Sequence, residues 1–429
     1  MDMVSFLHER RRGTAEIKER HMITGKFYAK NEVNTGRQAE MDVLKAILIT
    51  GMIGVHILEE IAPNVDGAGA YLLLEIGNKF TGATLFMFLM GMSSVYSKNQ
   101  DPKSMLLRGF FLLTFGALLN LMRYVLPATV EFMFTRDPAG LLEFSLVASN
   151  DIMQFAGLAF LTEGLLHRLK LDDCKIMLAA LLMSIAGYFL RDVSTGHYGT
   201  DQLLGYLWGT RTDSYFPLFY WFIFVAAGRL YGLFYKHLAD KRAWAKRVLP
   251  AGVMISAVYL LIATSPDQNV FWLFSDSKTG FNWMLPQDAL FVLIGNVTMV
   301  SLTCLLVRKE SPVFLSFIGR NLNQFYCVSW FFIESLKTGL SISGVGFVEG
   351  TGNTVMVSLL IFALTYAVVL LYQKWLKTYI NGFFGKHSTF WIVLIWITVI
   401  VLFIVMYVPG VEYGSYPNMF NGYNEGLRT

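Results

Sequence analysis

The sequence predicts an all-α fold, a polytopic membrane helix bundle of about 11 transmembrane helices with the N-terminus cytoplasmic and the C-terminus outside. Three observations predict it. First, apolar residues make up 54% of the 429 positions and charged residues only 15%, against roughly 25% charged in a soluble domain. That composition excludes a disordered chain, a collagen-like chain, a nucleic-acid-binding domain and an ordinary cytosolic enzyme. Second, a bilayer-spanning helix needs about 20 mostly apolar residues. Eleven stretches qualify, at about 43–62, 80–97, 105–125, 151–167, 174–191, 215–235, 248–265, 287–307, 312–334, 353–373 and 389–408. Third, with the N-terminus inside, 24 of the 35 Lys and Arg fall in inside segments, 8 outside and 3 within spans. One missed or extra helix would scramble that alternation, which follows the positive-inside rule.

The chain divides into a basic cytoplasmic segment, 1–42, a transmembrane domain, 43–408, and a short extracytoplasmic tail, 409–429. The basic segment lacks an apolar core of signal-peptide type, so no cleavage is expected there. Outside loops at about 126–150, 192–214 and 266–286 are long enough to carry a site. Cys174, Cys304 and Cys327 form neither a disulfide framework nor the paired spacing of a zinc site. One buried histidine without companion ligands gives no reason to expect a metal.

Ionisable residues within spans are costly and mark functional candidates. In the first span, Lys45 and His56 are eleven residues apart, three helical turns plus about 20°, so they share one face about 16 Å apart along the axis. Glu59 and Glu60 follow closely. His56 is the one histidine of seven well inside a span; the others fall in loops or at helix ends. It reads either as a structural hydrogen-bond donor between helices or as an acid–base group, and the shared face with Lys45 and the adjacent carboxylates favour the second. Arg229 in the sixth span, Arg320 in the ninth and Lys45 lie at similar depth on the cytoplasmic side, with Glu163 as the one carboxylate there. This reads either as structural ion pairs with snorkelling side chains or as an anion pocket suited to phosphate. Asp151 opens the fourth span, where it would cap the helix and could also partner His56. The sequon Asn296-Val297-Thr298 lies in a span and is discounted. Glycines at 81–92 and 109–116 allow close helix approach.

Five short motifs carry a family resemblance. Asp42-Val-Leu-Lys45, ten residues and His56 resemble the arginine–ten residues–histidine signature of the acyltransferase-3 family, with lysine in place of arginine. Leu85-Phe-Met-Phe-Leu-Met-Gly-Met-Ser-Ser94 resembles the second-helix motif of that family. Asp151-Ile-Met-Gln-Phe-Ala-Gly157 and Tyr215-Phe-Pro-Leu-Phe-Tyr-Trp221 resemble segments of the related heparan-α-glucosaminide N-acetyltransferase-like branch. Phe317-Ile-Gly-Arg-Asn321 resembles a late segment of the same clan.

The resemblance implies a membrane-embedded acyltransferase. It would move an acyl group, most simply acetyl, from cytoplasmic acyl-CoA to a hydroxyl or amine of an extracytoplasmic glycan or small-molecule acceptor. His56 would be the general base, with Glu59, Glu60 or Asp151 holding its other nitrogen, or it would carry the acyl group covalently. Lys45, Arg229, Arg320 and Asn321 would bind the donor. Acyl-CoA is then a co-substrate, no cofactor is bound permanently, and the partners are the bilayer, donor and acceptor but no nucleic acid; a homodimer is compatible. A multi-pass plasma-membrane location, bacterial in character, is expected. The rival class is a secondary transporter or flippase for an anionic solute, which predicts an inverted repeat that the sequence does not display. A non-catalytic scaffold is a third reading.

Overall fold

The computed structural model describes residues 27–65, 82–191, 193–208, 214–263, 284–307 and 312–407. The N-terminal residues to 26, most of the expected 266–286 loop and the tail from 408 lie outside the described residues. The described residues form helices and no β-strand, with two isolated bridges, Tyr28 to Leu238 and Asn150 to Ser214.

In chain order the helices are α1 Ala39–Glu60, α2 Ala83–Ser94, α3 Pro102–Asn120, α4 Leu126–Thr135, α5 Ile152–Arg168, α6 Asp173–Leu190, α7 Tyr198–Gly205 and α8 Leu218–Lys236. They continue with α9 Lys241–Ala263, α10 Pro286–Leu306, α11 Val313–Arg320, α12 Leu322–Ser343, α13 Thr351–Leu371, α14 Lys377–Lys386 and α15 Ser388–Tyr407. Local chemistry sets several ends. Asp101 accepts the Ser104 N–H at 3.0 Å with Pro102 following, Asp172 accepts the Lys175 N–H at 2.9 Å, and Gly344 at φ 66° closes α12. Each arrangement satisfies orphan backbone groups of the terminal turn.

Each of the eleven expected segments contains a helix. Among the described residues, eight helices are long and apolar enough to cross a membrane. The other three segments are α2 at 12 residues, α5 at 17, and α11–α12, whose longer helix carries a polar stripe. The chain is a multi-pass helical membrane protein.

One expectation is corrected. The outside loop expected at 126–150 is largely helical: α3 runs through a π-helical turn, Leu121–Val125, into α4, and a 3-10 stretch follows at Pro138–Ala148. The mostly apolar run Leu126–Phe134 sustains the helix past Arg123, so that arginine sits within a continuous helical rod. The expected 192–214 loop likewise contains α7.

Close glycine contacts set the spacing of the bundle. A Cβ on Gly91 would strike the Val225 carbonyl, and one on Gly228 would strike the Phe88 carbonyl, so α2 and α8 cross backbone to backbone. Gly319 of α11 meets the Asp42 backbone of α1 in the same way. Small residues permit such approach where lipid supplies no hydrophobic force between helices. Trp221, Trp330, Phe155, Phe222 and Phe224 fill the centre. By contrast α15 is largely exposed, packing through Val399 against Ala117 and Val147 and turning the rest of its apolar surface outward, as suits lipid tails. Polar side chains gather at the two ends of α1, and these two clusters contain the site candidates.

Candidate active site

At the C-terminal end of α1, the imidazole of His56 meets Glu59 one turn on, with Nδ1 2.9 Å from Oε2. A carboxylate only accepts, so this contact places the proton on Nδ1 and leaves Nε2 as the basic nitrogen. The other imidazole contact is the indole of Trp330 from α12, centroid to centroid 4.1 Å and tilted by 40°. His56 keeps 24% of its side chain accessible.

Behind the indole lies Arg123. Its Cζ stands 3.1 Å from the Trp330 ring centroid, a cation–π contact. Nη1 donates to Asp151 Oδ2 at 2.7 Å, Nε to Glu334 Oε1 at 3.3 Å, and Nη2 lies 3.9 Å from Glu60 Oε1. At 5% exposure the guanidinium is buried, and three carboxylates from α1, the start of α5 and α12 surround it. Asp151 is also the cap of α5, accepting the Ile152 N–H at 2.6 Å, and takes the Tyr326 hydroxyl at 2.8 Å. Lys337 donates to Glu60 at 2.8 Å and lies 3.8 Å from Glu143 and 3.9 Å from Glu334.

A cleft of about 310 Å³ opens beside this network, walled by Glu60, Glu131, Glu143, Glu334, Lys337 and Ser341 among others. Four carboxylates against one ammonium make it acidic. Glu143, in the 3-10 stretch, is pushed above the usual carboxylate range by burial, which Lys337 offsets only in part.

At the opposite end of α1, Lys45 and Arg229 meet consecutive serines of α2: Lys45 Nζ donates to Ser93 Oγ at 2.7 Å and Arg229 Nη1 to Ser94 Oγ at 3.2 Å. The Gly91–Gly228 crossing brings these groups together. Arg229 is 3.0 Å from Glu163 and 2.5 Å from Asp173, whereas the Lys45 contact is to a hydroxyl. Arg320 is exposed at the end of α11, and Asn321 joins α11 to α12, donating to the Phe317 carbonyl at 2.8 Å and accepting from Gln373 at 2.5 Å.

The structure therefore brings His56, Glu59, Glu60 and Asp151 into one region but gives them different partners. Glu59 holds the imidazole, while Glu60 and Asp151 hold Lys337 and Arg123. It joins Lys45 to Arg229 through neighbouring serines and leaves Arg320 and Asn321 on the α11–α12 junction. Sequence reasoning missed Arg123, Trp330, Glu334 and Lys337. The available signal was Arg123 itself, the sole charge in the run from Gly109 to Val130. Among the described residues, no group of three or more His, Cys, Asp or Glu is arranged to hold a metal.

The family comparison decides the class. The model of the heparan-alpha-glucosaminide N-acetyltransferase catalytic domain matches residues 37–271. The chain belongs to this family. The matched span runs from the start of α1 to just beyond α9 and holds Lys45, His56, Glu59, Glu60, Arg123, Asp151 and Arg229. As a member of the heparan-alpha-glucosaminide N-acetyltransferase catalytic family, the protein is a membrane acetyltransferase. Trp330, Glu334 and Lys337 lie beyond the matched residues, so α12 supplies walls that the family match does not cover. No curated protein and no solved structure matches the chain.

Proposed function

We propose that the protein transfers an acetyl group from acetyl-CoA to the amine of a glucosamine-type acceptor, with His56 as general base. The observation that carries this reading is the Glu59–His56 contact at 2.9 Å, which leaves Nε2 to accept a proton on a side chain that stays 24% accessible. The acceptor nitrogen attacks the thioester carbonyl and His56 Nε2 takes its proton. The C–S bond then breaks, and the imidazolium returns the proton to the departing thiolate. The Lys45 end of α1 receives the phosphate-bearing part of the donor, with Lys45 and Arg320 as cations and Arg229 holding Ser94 in place. About 16 Å of helix separates Lys45 from His56, a distance the pantetheine arm spans, so the donor lies along α1 with its thioester at the imidazole.

The test is acetyl transfer from labelled acetyl-CoA to glucosamine by detergent-purified protein, with calorimetric donor binding alongside. His56→Ala should lose transfer by about 10²–10⁴-fold, the usual contribution of a general base, and keep donor affinity; Lys45→Ala should weaken the donor. Full activity in His56→Ala overturns the base assignment. Absence of acetyl-CoA binding to monodisperse protein overturns the donor and favours anion transport.

A further inference from the structure

We propose that Trp330 is a positioning residue for His56 and that Arg123 fixes the indole in place, so that α12 completes the active site. This rests on the assignment of His56 as the base.

Among the described residues Glu59 and Trp330 contact the imidazole, and they control different things. Glu59 selects the tautomer but sits on the same helix, three residues on, and its side chain is 35% exposed. A half-exposed carboxylate on a rotatable stem does not fix a ring plane. Trp330 does: it is 1% exposed, comes from another helix, and presents a broad flat surface 4.1 Å from the imidazole centroid. Ring contacts of this kind prefer defined offsets and tilts, so they restrict rotation about the histidine side-chain bonds.

Trp330 is in turn held from a third element. The Arg123 guanidinium bears on the indole at 3.1 Å, and its own position is fixed by Asp151, Glu334 and Glu60. Glu334 stands one turn beyond Trp330 on α12. The arginine thus touches the ring and grips the helix that carries it. A guanidinium suits this task because its flat face stacks while its edge donates to carboxylates in several directions. Two of the three carboxylates, Glu60 and Glu334, are shared with Lys337, so Asp151 is the one that Arg123 does not share with it. The placement of the three on α1, at the α5 cap and on α12 makes geometric sense, since each registers one wall against the indole. The result is a chain of contacts, from carboxylates to Arg123 to Trp330 to His56, that aims Nε2. Misplacement of a reacting group by about 1 Å can cost on the order of 10²-fold in rate, so the aiming is worth a measurable kcat.

The experiment measures kcat, KM for both substrates and acetyl-CoA Kd for Trp330→Ala, Trp330→Phe, Arg123→Lys and His56→Ala, with unfolding midpoints. Trp330→Ala should lower kcat by about 10- to 100-fold with acetyl-CoA Kd and KM within about twofold of wild type. Trp330→Phe keeps a flat ring and should recover kcat to within about threefold. Arg123→Lys keeps the charge and loses the stacked plane, and should lower kcat with donor affinity unchanged. The proposal is overturned if Trp330→Ala retains kcat within twofold, if Trp330→Phe is as impaired as Trp330→Ala, or if kcat losses track weakened donor binding or a lowered midpoint. Loss of activity in His56→Ala with none in Trp330→Ala would remove this proposal alone. Full activity in His56→Ala would remove the reading beneath it.

Discussion

Asp151 serves Arg123 with one oxygen and the α5 backbone with the other: Oδ2 takes Arg123 Nη1 at 2.7 Å while Oδ1 takes the Ile152 N–H at 2.6 Å. A single carboxylate therefore ties the start of a helix to the cation beneath the indole. Asn can cap a helix about as well as Asp but carries no charge. Asp151→Asn should lose the ion pair and keep the cap, whereas Asp151→Ala should lose both. The two unfolding midpoints should differ by the equivalent of about 1 kcal/mol, the usual worth of a cap. Equal destabilisation would mean that the cap contributes nothing.

Arg229 is expected to act first as a counter-charge. Glu163 is 1% exposed and faces it at 3.0 Å. Removing one partner of a buried pair costs about 3–5 kcal/mol, so Arg229→Gln alone should be severely destabilised. The double variant Arg229→Gln with Glu163→Gln should recover part of that loss. A double-mutant cycle on thermal unfolding measures the coupling, and additive losses would contradict it.

The α2–α8 crossing leaves no room for a methyl group. In Gly228→Ala the new Cβ would meet the Phe88 carbonyl, and backbone cannot yield as a side-chain tip can. The helices must part, which shifts Ser93 and Ser94 away from Lys45 and Arg229. A cost of about 1–3 kcal/mol is expected from overpacking, together with weaker acetyl-CoA binding by calorimetry. Wild-type stability and affinity would show the crossing to be loose.

Glu143 predicts a pH dependence whose sign follows from its raised pKa. A carboxyl group whose folded pKa is raised destabilises the fold once ionised; that cost is present above the folded pKa and vanishes below the ordinary value of 4.5. Glu143→Gln should therefore raise the unfolding midpoint at pH 7. The gain should shrink as the pH falls through the raised value towards 4.5. A gain that persists unchanged in acid would contradict the assignment.

The helices were legible because hydropathy alone fixes where a lipid-soluble segment can lie; all eleven expected segments contain one. The stripe from Lys45 to His56 was legible because helical geometry is regular within one element. What periodicity could not convey is which helices meet. Arg123 lay at the end of the expected span 105–125, whereas the backbone passes through a π-helical turn and continues to Thr135. Nothing in the spacing of Trp330 pointed to His56; α12 brings the two ring centroids to 4.1 Å. Arg229 read equally as an ion pair with Glu163 or as part of an anion pocket, and the structure adds a second carboxylate, Asp173, 2.5 Å away.

The separation of Arg123 from its partners has a consequence for biosynthesis. Asp151 follows it by 28 residues and Glu334 by 211. At a synthesis rate of about 5–20 residues per second, Glu334 emerges roughly 10–40 s after the arginine. Through that interval Asp151 and Glu60 are the only two of its three carboxylate partners that have been made. Until α12 is made, His56 lacks the indole that packs on it, so the site is complete only when most of the chain has been synthesised.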